Sequence, residues 1–125
     1  MGISGQILQA ARRGDFTLIT SSHIVAEVTR VLGYPRIQRK YHIGPLEIER
    51  VRLLLQQEAL LTPLTAEVHG VATHPEDDPI LATAVSGNAE YLVTGDDKLQ
   101  RLGSYQGVTI VSPRQFLDIL VRQSA

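Results

Sequence analysis

The chain has 125 residues, of which 43% are hydrophobic and 20% charged, values typical of one globular domain with a modest core. It contains no cysteine, which excludes disulfides, thiolate catalysis and cysteine-type zinc sites. No apolar run approaches the roughly 20 residues that span a bilayer, and the first residues do not have the form of a signal peptide. We therefore expect a single cytoplasmic domain over residues 1–125 with no membrane partner. Because its net charge is −1, nucleic-acid binding would need a local basic patch.

The first half of the chain predicts helices separated by short strands. The predicted helices cover residues 4–13, 22–32, 35–40 and 45–58, and the predicted strands cover residues 16–20 and 60–64. Gly14 ends the first helix, and Ser21 or Ser22 caps the second. Pro63 places the second strand at an edge of the sheet, because proline cannot donate a ladder hydrogen bond.

The second half continues the alternation of strands and helices. Helices are predicted over residues 78–86, 97–102 and 113–122, and strands over residues 91–94 and 108–111. Such alternation indicates parallel pairing with helices on both faces of the sheet. The predicted fold is therefore a three-layer α/β/α arrangement around a parallel sheet.

Two carboxylates stand where parallel α/β sheets bind ligands. Asp96 follows the strand over residues 91–94, and Asp78 begins a helix, so both face the crevice at the carboxyl ends of the strands. Each could instead only cap a helix. Three consecutive acids, Glu76, Asp77 and Asp78, exceed what a cap requires, and their mutual repulsion favours a bound cation. Asp77 is an alternative to Asp78, because helix boundaries read from sequence are uncertain by a few residues.

Glu27 is a third candidate acid. It lies within the apolar stripe that Ile24, Val28 and Val31 form on the second helix. A carboxylate there either reaches for solvent from the edge of the stripe or turns toward a polar crevice. With the other two acids in view, we interpret Glu27 as a site residue.

One short segment is locally basic. Arg36, Arg39 and Lys40 stand beside Tyr41 and are the best candidates for contacts with RNA phosphates. A solvated helix surface explains this segment nearly as well. The four histidines show no paired metal-ligand spacing, so we interpret them as surface or structural residues.

Three segments in this order resemble the PIN-domain family, and specifically its branch of VapC-type toxin ribonucleases. They are Ile19-Thr-Ser-Ser-His-Ile-Val-Ala-Glu27, Asp77-Asp-Pro-Ile-Leu-Ala-Thr-Ala84 and Tyr91-Leu-Val-Thr-Gly-Asp96. The order and spacing extend over nearly the whole chain, including Tyr34 to Tyr41 and Val111 to Phe116. Each motif is weak by itself, and the three in order carry the resemblance.

The resemblance implies an Mg²⁺- or Mn²⁺-dependent ribonuclease. Glu27, Asp78 and Asp96 match the family's catalytic, metal-binding acids, whereas Thr94 and Asp77 match positions that line the pocket. Carboxylates would hold one or two cations, which lower the pKa of a bound water that attacks phosphorus. The resemblance also implies an RNA substrate and a cognate antitoxin protein as partner.

The chain departs from the family pattern in two places. Family members begin with a central strand that ends in Asp-Thr-Asn, and nothing before Phe16 has that form. Lys98 stands where many relatives have a further aspartate. We therefore expect an N-terminally truncated domain with weaker metal binding and impaired turnover. The alternative is a non-catalytic PIN-like module that binds RNA or protein whether or not a chelator is present.

A missing central strand has a physical consequence. The strands over residues 16–20 and 91–94 would flank it and present unpaired backbone groups. They could close against each other or pair with another chain. We expect a homo-oligomer, including the strand-exchanged form.

Overall fold

The computed structural model describes residues 2–71 and 77–123, apart from the side chain of Ser4. Its helices are α1 Ile3–Arg13, α2 Ser22–Leu32, α3 Pro35–Lys40, α4 Pro45–Leu53, α5 Asp78–Ser86, α6 Asp97–Leu102 and α7 Pro113–Gln123. Its strands are β1 Ile19–Thr20, β2 Leu60–Leu61, β3 Tyr91–Val93, β4 Ser104–Tyr105 and β5 Val108–Val111. Between α4 and β2, Leu54–Glu58 form a π-helical turn.

The predicted helices and their ends are confirmed, with one change in the longest. Gly14 ends α1 in the left-handed region with φ 82°, and the Ser21 hydroxyl accepts a hydrogen bond from the backbone N–H of Ile24 at the start of α2. Ser112 caps α7 in the same way, because its hydroxyl accepts from the N–H of Gln115. The helix predicted to reach Glu58 is α-helical only to Leu53 and continues as the π-helical turn.

The strands form two separate sheets. β1 pairs in parallel with β2, aligning Ile19 with Leu60, and the edge position predicted for the strand near Pro63 is confirmed. The second sheet has the order β3-β5-β4, with β3 parallel and β4 antiparallel to β5. The mixed α/β class with parallel pairing is therefore confirmed.

The antiparallel strand β4 was not predicted from the sequence. Gln106 and Gly107 both have positive φ, at 47° and 86°, and join β4 to β5 in a tight turn. Consecutive residues with positive φ match the right-handed twist of paired strands, which is why such turns close hairpins. The two-residue strand is too short to show an alternating pattern, so only the turn could have indicated it.

Helix α5 holds the two sheets together. It contacts both β1 and β3, and its Leu81 is fully buried. Gly87 follows the helix and lies so close to β1 that a Cβ atom there would stand 2.6 Å from Cγ2 of Ile19. The buried cluster around α5 consists of Val68, Leu81, Ala82, Leu99 and Ile110. In residues 2–71 and 77–123, no helix is long and apolar enough to cross a membrane.

Candidate functional site: a groove between the two sheets

A groove of about 670 Å³ separates β1 from β3. Strand residues Ile19 and Tyr91 line its two sides, and Ile80 and Thr83 of α5 also line it. Phe116 of α7 contributes an aromatic wall, where its ring meets that of Tyr91 with centroids 5.9 Å apart. The groove is therefore mostly apolar and runs along two strands.

Both strands present an edge to this groove. Within the described residues, β1 pairs with β2 and β3 pairs with β5, and β1 does not pair with β3. Backbone N–H and C=O groups along such edges require hydrogen-bond partners, so an exposed edge is a template for a further strand. The groove leaves residues 16–20 and residues 91–94 apart, as expected if no strand lies between them. That a strand of the family pattern is missing there stays a prediction.

Glu27 lies beside the groove and is held in an ion pair. Its carboxylate lines the groove and accepts a hydrogen bond from Nη2 of Arg30 at 2.6 Å. This hydrogen bond, with the positive charge of Arg30, lowers the pKa of Glu27 below its ordinary value. Arg30 also donates to the hydroxyl of Tyr34. Glu27 is therefore a carboxylate at neutral pH, with Arg30 partly balancing its charge.

We expect Arg30→Gln to raise the pKa of Glu27 toward its ordinary value, because the change removes the bond and the charge that lower it. A carboxyl whose folded pKa is lowered contributes stability above the unfolded pKa, and loses it as pH falls through the folded pKa. Because this pair is exposed, the stability effect is small and the pKa is the quantity to follow. A carboxyl ¹³C NMR titration measures it.

Arg52→Gln is the matched control for this titration. Arg52 forms the same i,i+3 ion pair with Glu49 on α4. Its substitution should raise the pKa of Glu49 and leave that of Glu27 unchanged. An unchanged Glu27 pKa in Arg30→Gln would contradict the ion pair.

The acids at the start of α5 lie in different surroundings. Asp77 lines the groove with Glu27. Asp78 is buried, and its Oδ2 accepts a hydrogen bond from the backbone N–H of Gly70 at 3.0 Å. Asp77, the predicted alternative to Asp78, is thus the acid of this pair that borders the groove. Glu76 lies outside the described residues.

Asp96 caps α6. Its Oδ1 accepts hydrogen bonds from the backbone N–H groups of Lys98 at 2.8 Å and Leu99 at 3.3 Å. The Thr94 hydroxyl accepts in turn from the backbone N–H of Asp96 at 3.1 Å. The cap interpretation of Asp96 is therefore confirmed, and both cap bonds use a single carboxylate oxygen. Its metal-binding role stays a prediction.

The described acids are not grouped as a divalent-cation site requires. In the described ranges, no group of three or more His, Asp or Glu side chains is arranged to hold a metal ion. Among the described residues, the acids that line the groove are Asp15, Glu27, Asp77 and Glu90. Asp15 is bound to Arg13 at 2.8 Å, and Glu27 is bound to Arg30. The described carboxylates do not by themselves fit a cation site.

The basic segment forms the outer surface of α3. Arg36, Arg39 and Lys40 are exposed, whereas Ile37 and Gln38 are half-buried. Nε2 of Gln38 donates to the Leu32 carbonyl oxygen at 2.9 Å and fixes the inner side of α3 to the end of α2. The three cations therefore share one solvent-facing side of α3. Both interpretations of this segment, contacts with RNA phosphates and a solvated helix surface, require that arrangement.

Two features of the groove were missed from the sequence. Arg30 was not identified as the partner of Glu27, although the i,i+3 spacing on one helix was a visible signal. His23 is exposed, in agreement with its interpretation as a surface residue, but its position in the groove, one turn before Glu27, was not predicted. Its neighbour Ser21 bonds the Thr83 hydroxyl at 2.9 Å across 62 residues, a contact that no local pattern reveals.

The fold and groove define a small mixed α/β domain with acidic side chains beside parallel strands. The sequence matches the family model for the PIN domain over residues 2–98. Because this match covers more than half of the chain, the protein belongs to the PIN-domain family. Comparisons with curated proteins and with solved structures found no match. Membership indicates a nuclease or RNA-related function, and PIN domains generally depend on divalent metal.

Proposed function

We propose that this protein is a ribonuclease of the PIN type that requires Mg²⁺ or Mn²⁺ and hydrolyses RNA phosphodiester bonds with impaired turnover. One observation carries the proposal: in a PIN-family chain, Glu27 and Asp77 border a groove between β1 and β3, each of which has a parallel neighbour in its own sheet. Parallel sheets bind ligands at such positions, outside the carboxyl ends of the strands. The impaired turnover in this proposal is supported by the described acids, of which no three are grouped to hold a cation.

We assign the catalytic and metal-binding roles to Glu27, Asp78 and Asp96, and the pocket-lining roles to Thr94 and Asp77, on the family pattern. Of these residues Glu27 and Asp77 line the groove, whereas Asp78, Thr94 and Asp96 are not among its lining residues. Asp77 is the better supported of the two adjacent acids, since it borders the groove. The side chains that complete the site would come from a strand that enters the groove between β1 and β3.

Cleavage of a generic single-stranded RNA in the presence of Mn²⁺ tests the proposal. We expect slow cleavage with enzyme in excess, and its complete loss when EDTA is added. A peptide strand ending in Asp-Thr-Asn, fused before Met1, should raise the rate if it completes the site. Absence of cleavage in both forms would contradict the ribonuclease proposal.

The second candidate is a non-catalytic PIN module that binds RNA or a partner protein. It is favoured by the ion pair between Glu27 and Arg30, because this pair engages the groove carboxylate that would otherwise be a candidate metal ligand. This candidate expects RNA binding of equal strength with Mn²⁺ and with EDTA, and no cleavage. The same samples therefore decide between the two functions.

Within residues 2–71 and 77–123, β1 and β3 each have one edge without a paired strand, and these edges support a homo-oligomer, including one formed by strand exchange. We expect light scattering at micromolar concentration to give a mass that is a multiple of 13.7 kDa. Thr17→Lys should shift it toward the monomer, because Thr17 is exposed in the groove two residues before β1 and a lysine beside a strand edge opposes pairing. Thr109→Lys is the control, since β5 is paired on both sides. A monodisperse monomer of the unmodified chain would contradict the expectation.

The VapC-type toxin role, with a cognate antitoxin as partner and action in the cytoplasm, belongs to the same proposal. It is supported by the three motifs that end at Glu27, Ala84 and Asp96. Growth arrest on expression, relieved by a co-expressed neighbouring gene product, would be the corresponding cellular result.

A further inference from the structure

The outer side of α3 is a concentrated positive surface on a nearly neutral protein. Residues 28–46 contain four basic side chains and no acid, although the net charge of the chain is −1. Arg36, Arg39 and Lys40 are all exposed there, and Tyr41 directly follows them. We use the name α3 face for the surface formed by the side chains of Arg36, Arg39, Lys40 and Tyr41. A local cationic surface of this kind attracts polyanions.

Tyr41 makes the α3 face more than a charge cluster. Its side chain is 59% exposed, although a tyrosine ring normally buries much of its apolar area. The next residue, His42, has φ 53° and turns the chain away, so Tyr41 stays at the end of the helix. Nζ of Lys40 lies 5.3 Å from the ring centre, a cation–π contact. Exposed rings among cations are the feature that binds single-stranded nucleic acids.

A second exposed ring connects this face to the groove. Tyr34 is 41% exposed, and Cζ of Arg30 lies 5.5 Å from its ring centre. The same guanidinium donates to the Tyr34 hydroxyl and to the Glu27 carboxylate. Glu27 lines the groove, so Arg30 links the groove to the start of α3 through direct contacts. A strand of nucleic acid bound on α3 would therefore meet Tyr34 and Arg30 next to the groove-lining Glu27.

We propose that the α3 face binds single-stranded RNA, with bases stacked on Tyr41 and Tyr34 and phosphates bound by Arg36, Arg39 and Lys40. This inference rests on the proposed function and adds to it a base-stacking surface, outside the groove, that would hold the RNA. Stacking on an exposed ring requires an unpaired base, because bases in a duplex already stack on each other. The α3 face should therefore prefer single-stranded RNA to a duplex of the same sequence.

Fluorescence anisotropy with a labelled single-stranded RNA of about 12 nucleotides tests the inference. EDTA is present throughout, so binding is measured without cleavage. Tyr41→Leu should weaken binding about 10-fold, the scale of one lost base stack, whereas Tyr41→Phe should keep it. Neutralising Arg36, Arg39 and Lys40 together to Gln should lower the slope of log affinity against log salt by about 2.

Controls separate this surface from general charge effects. Arg114→Gln removes an exposed cation on α7 and should leave the affinity unchanged. Polyglutamate should compete poorly, because it carries charge without bases. NMR of ¹³C-labelled tyrosine should show RNA-induced shifts for Tyr34 and Tyr41 and none for Tyr105, which packs against the core.

Three results would overturn the inference. The first is that Tyr41→Leu and Tyr41→Phe both bind RNA with the affinity of the unmodified protein. The second is that the protein binds duplex RNA as tightly as single-stranded RNA. The third is that it binds no RNA at low salt. If chelator-sensitive cleavage persists alongside any of them, the ribonuclease proposal stands and only the α3 face is excluded as its RNA contact. If binding behaves as expected but cleavage is absent, the α3 face stands and the non-catalytic function is correct.

Discussion

Asp96→Asn is expected to lower RNA cleavage by at least about 100-fold, while the free energy of unfolding changes by about 0.5 kcal/mol or less. The substitution removes the negative charge of the side chain and keeps an oxygen that can accept from the N–H groups of Lys98 and Leu99. Asparagine caps helices about as well as aspartate does, so the start of α6 should survive. Even residues that only orient a catalytic centre cost about 10–100-fold when changed, and a direct participant should cost more.

Two comparison variants separate the cap from the chemistry of Asp96. Asp96→Ala removes both the cap and the carboxylate. It should therefore reduce cleavage as Asp96→Asn does, and should also lower the free energy of unfolding by about 1 kcal/mol. Asp97→Asn changes the exposed acid next to it and should leave cleavage unchanged. Rates are measured with enzyme in excess, and stability by urea titration. Cleavage by Asp96→Asn at the rate of the unmodified chain would show that the site is misplaced.

Leu81→Ala is expected to lower the free energy of unfolding by about 2–5 kcal/mol. Leu81 has no exposed surface and lies in the buried cluster with Val68, Leu99 and Ile110. Truncation removes apolar contacts and leaves a cavity, and both terms destabilise the fold. Domains of this size have a total stability of about 5–15 kcal/mol, so the change would unfold a large part of the population. Urea unfolding followed by circular dichroism measures the difference.

Leu60→Ala is the matched control for the core substitution. Leu60 is 53% exposed on the edge strand β2, so its truncation loses little buried area. Its cost should stay within about 0.5 kcal/mol, the usual range for surface positions. Equal losses of unfolding free energy in Leu81→Ala and Leu60→Ala would mean that Leu81 is not part of the buried core. Because α5 also begins with Asp77 and Asp78, Leu81→Ala should weaken any activity of the groove.

Much of the secondary structure could be predicted because its signals are local. Gly14 allows the left-handed turn that ends α1, and Ser21 and Ser112 supply side-chain caps within three residues of the groups they bond. The short strand β4 was missed, since two residues show no periodicity. The π-helical turn at Leu54–Glu58 was also missed, because its apolar spacing looks like that of a continuing α-helix.

The candidate site was only partly predictable for the same reason. The sequence indicated Glu27, Asp96 and a choice between Asp77 and Asp78, because each acid adjoins a recognisable helix or strand end. It could not show which acid of the α5 pair would border the groove. That depends on the hydrogen bond from Gly70, eight residues earlier in the chain, which engages the buried carboxylate of Asp78.

The sequence by itself determined the family, the order of the helices and of every strand except β4, and the concentration of positive charge before Leu46. Periodicity, caps and motif spacing act over a few residues and can be read without coordinates. Only the tertiary structure decided that the sheet is split and that a groove separates β1 from β3. It also decided that Arg30 joins Glu27 to Tyr34. Those features come from the packing of distant segments around α5, where long-range contacts outweigh local preference.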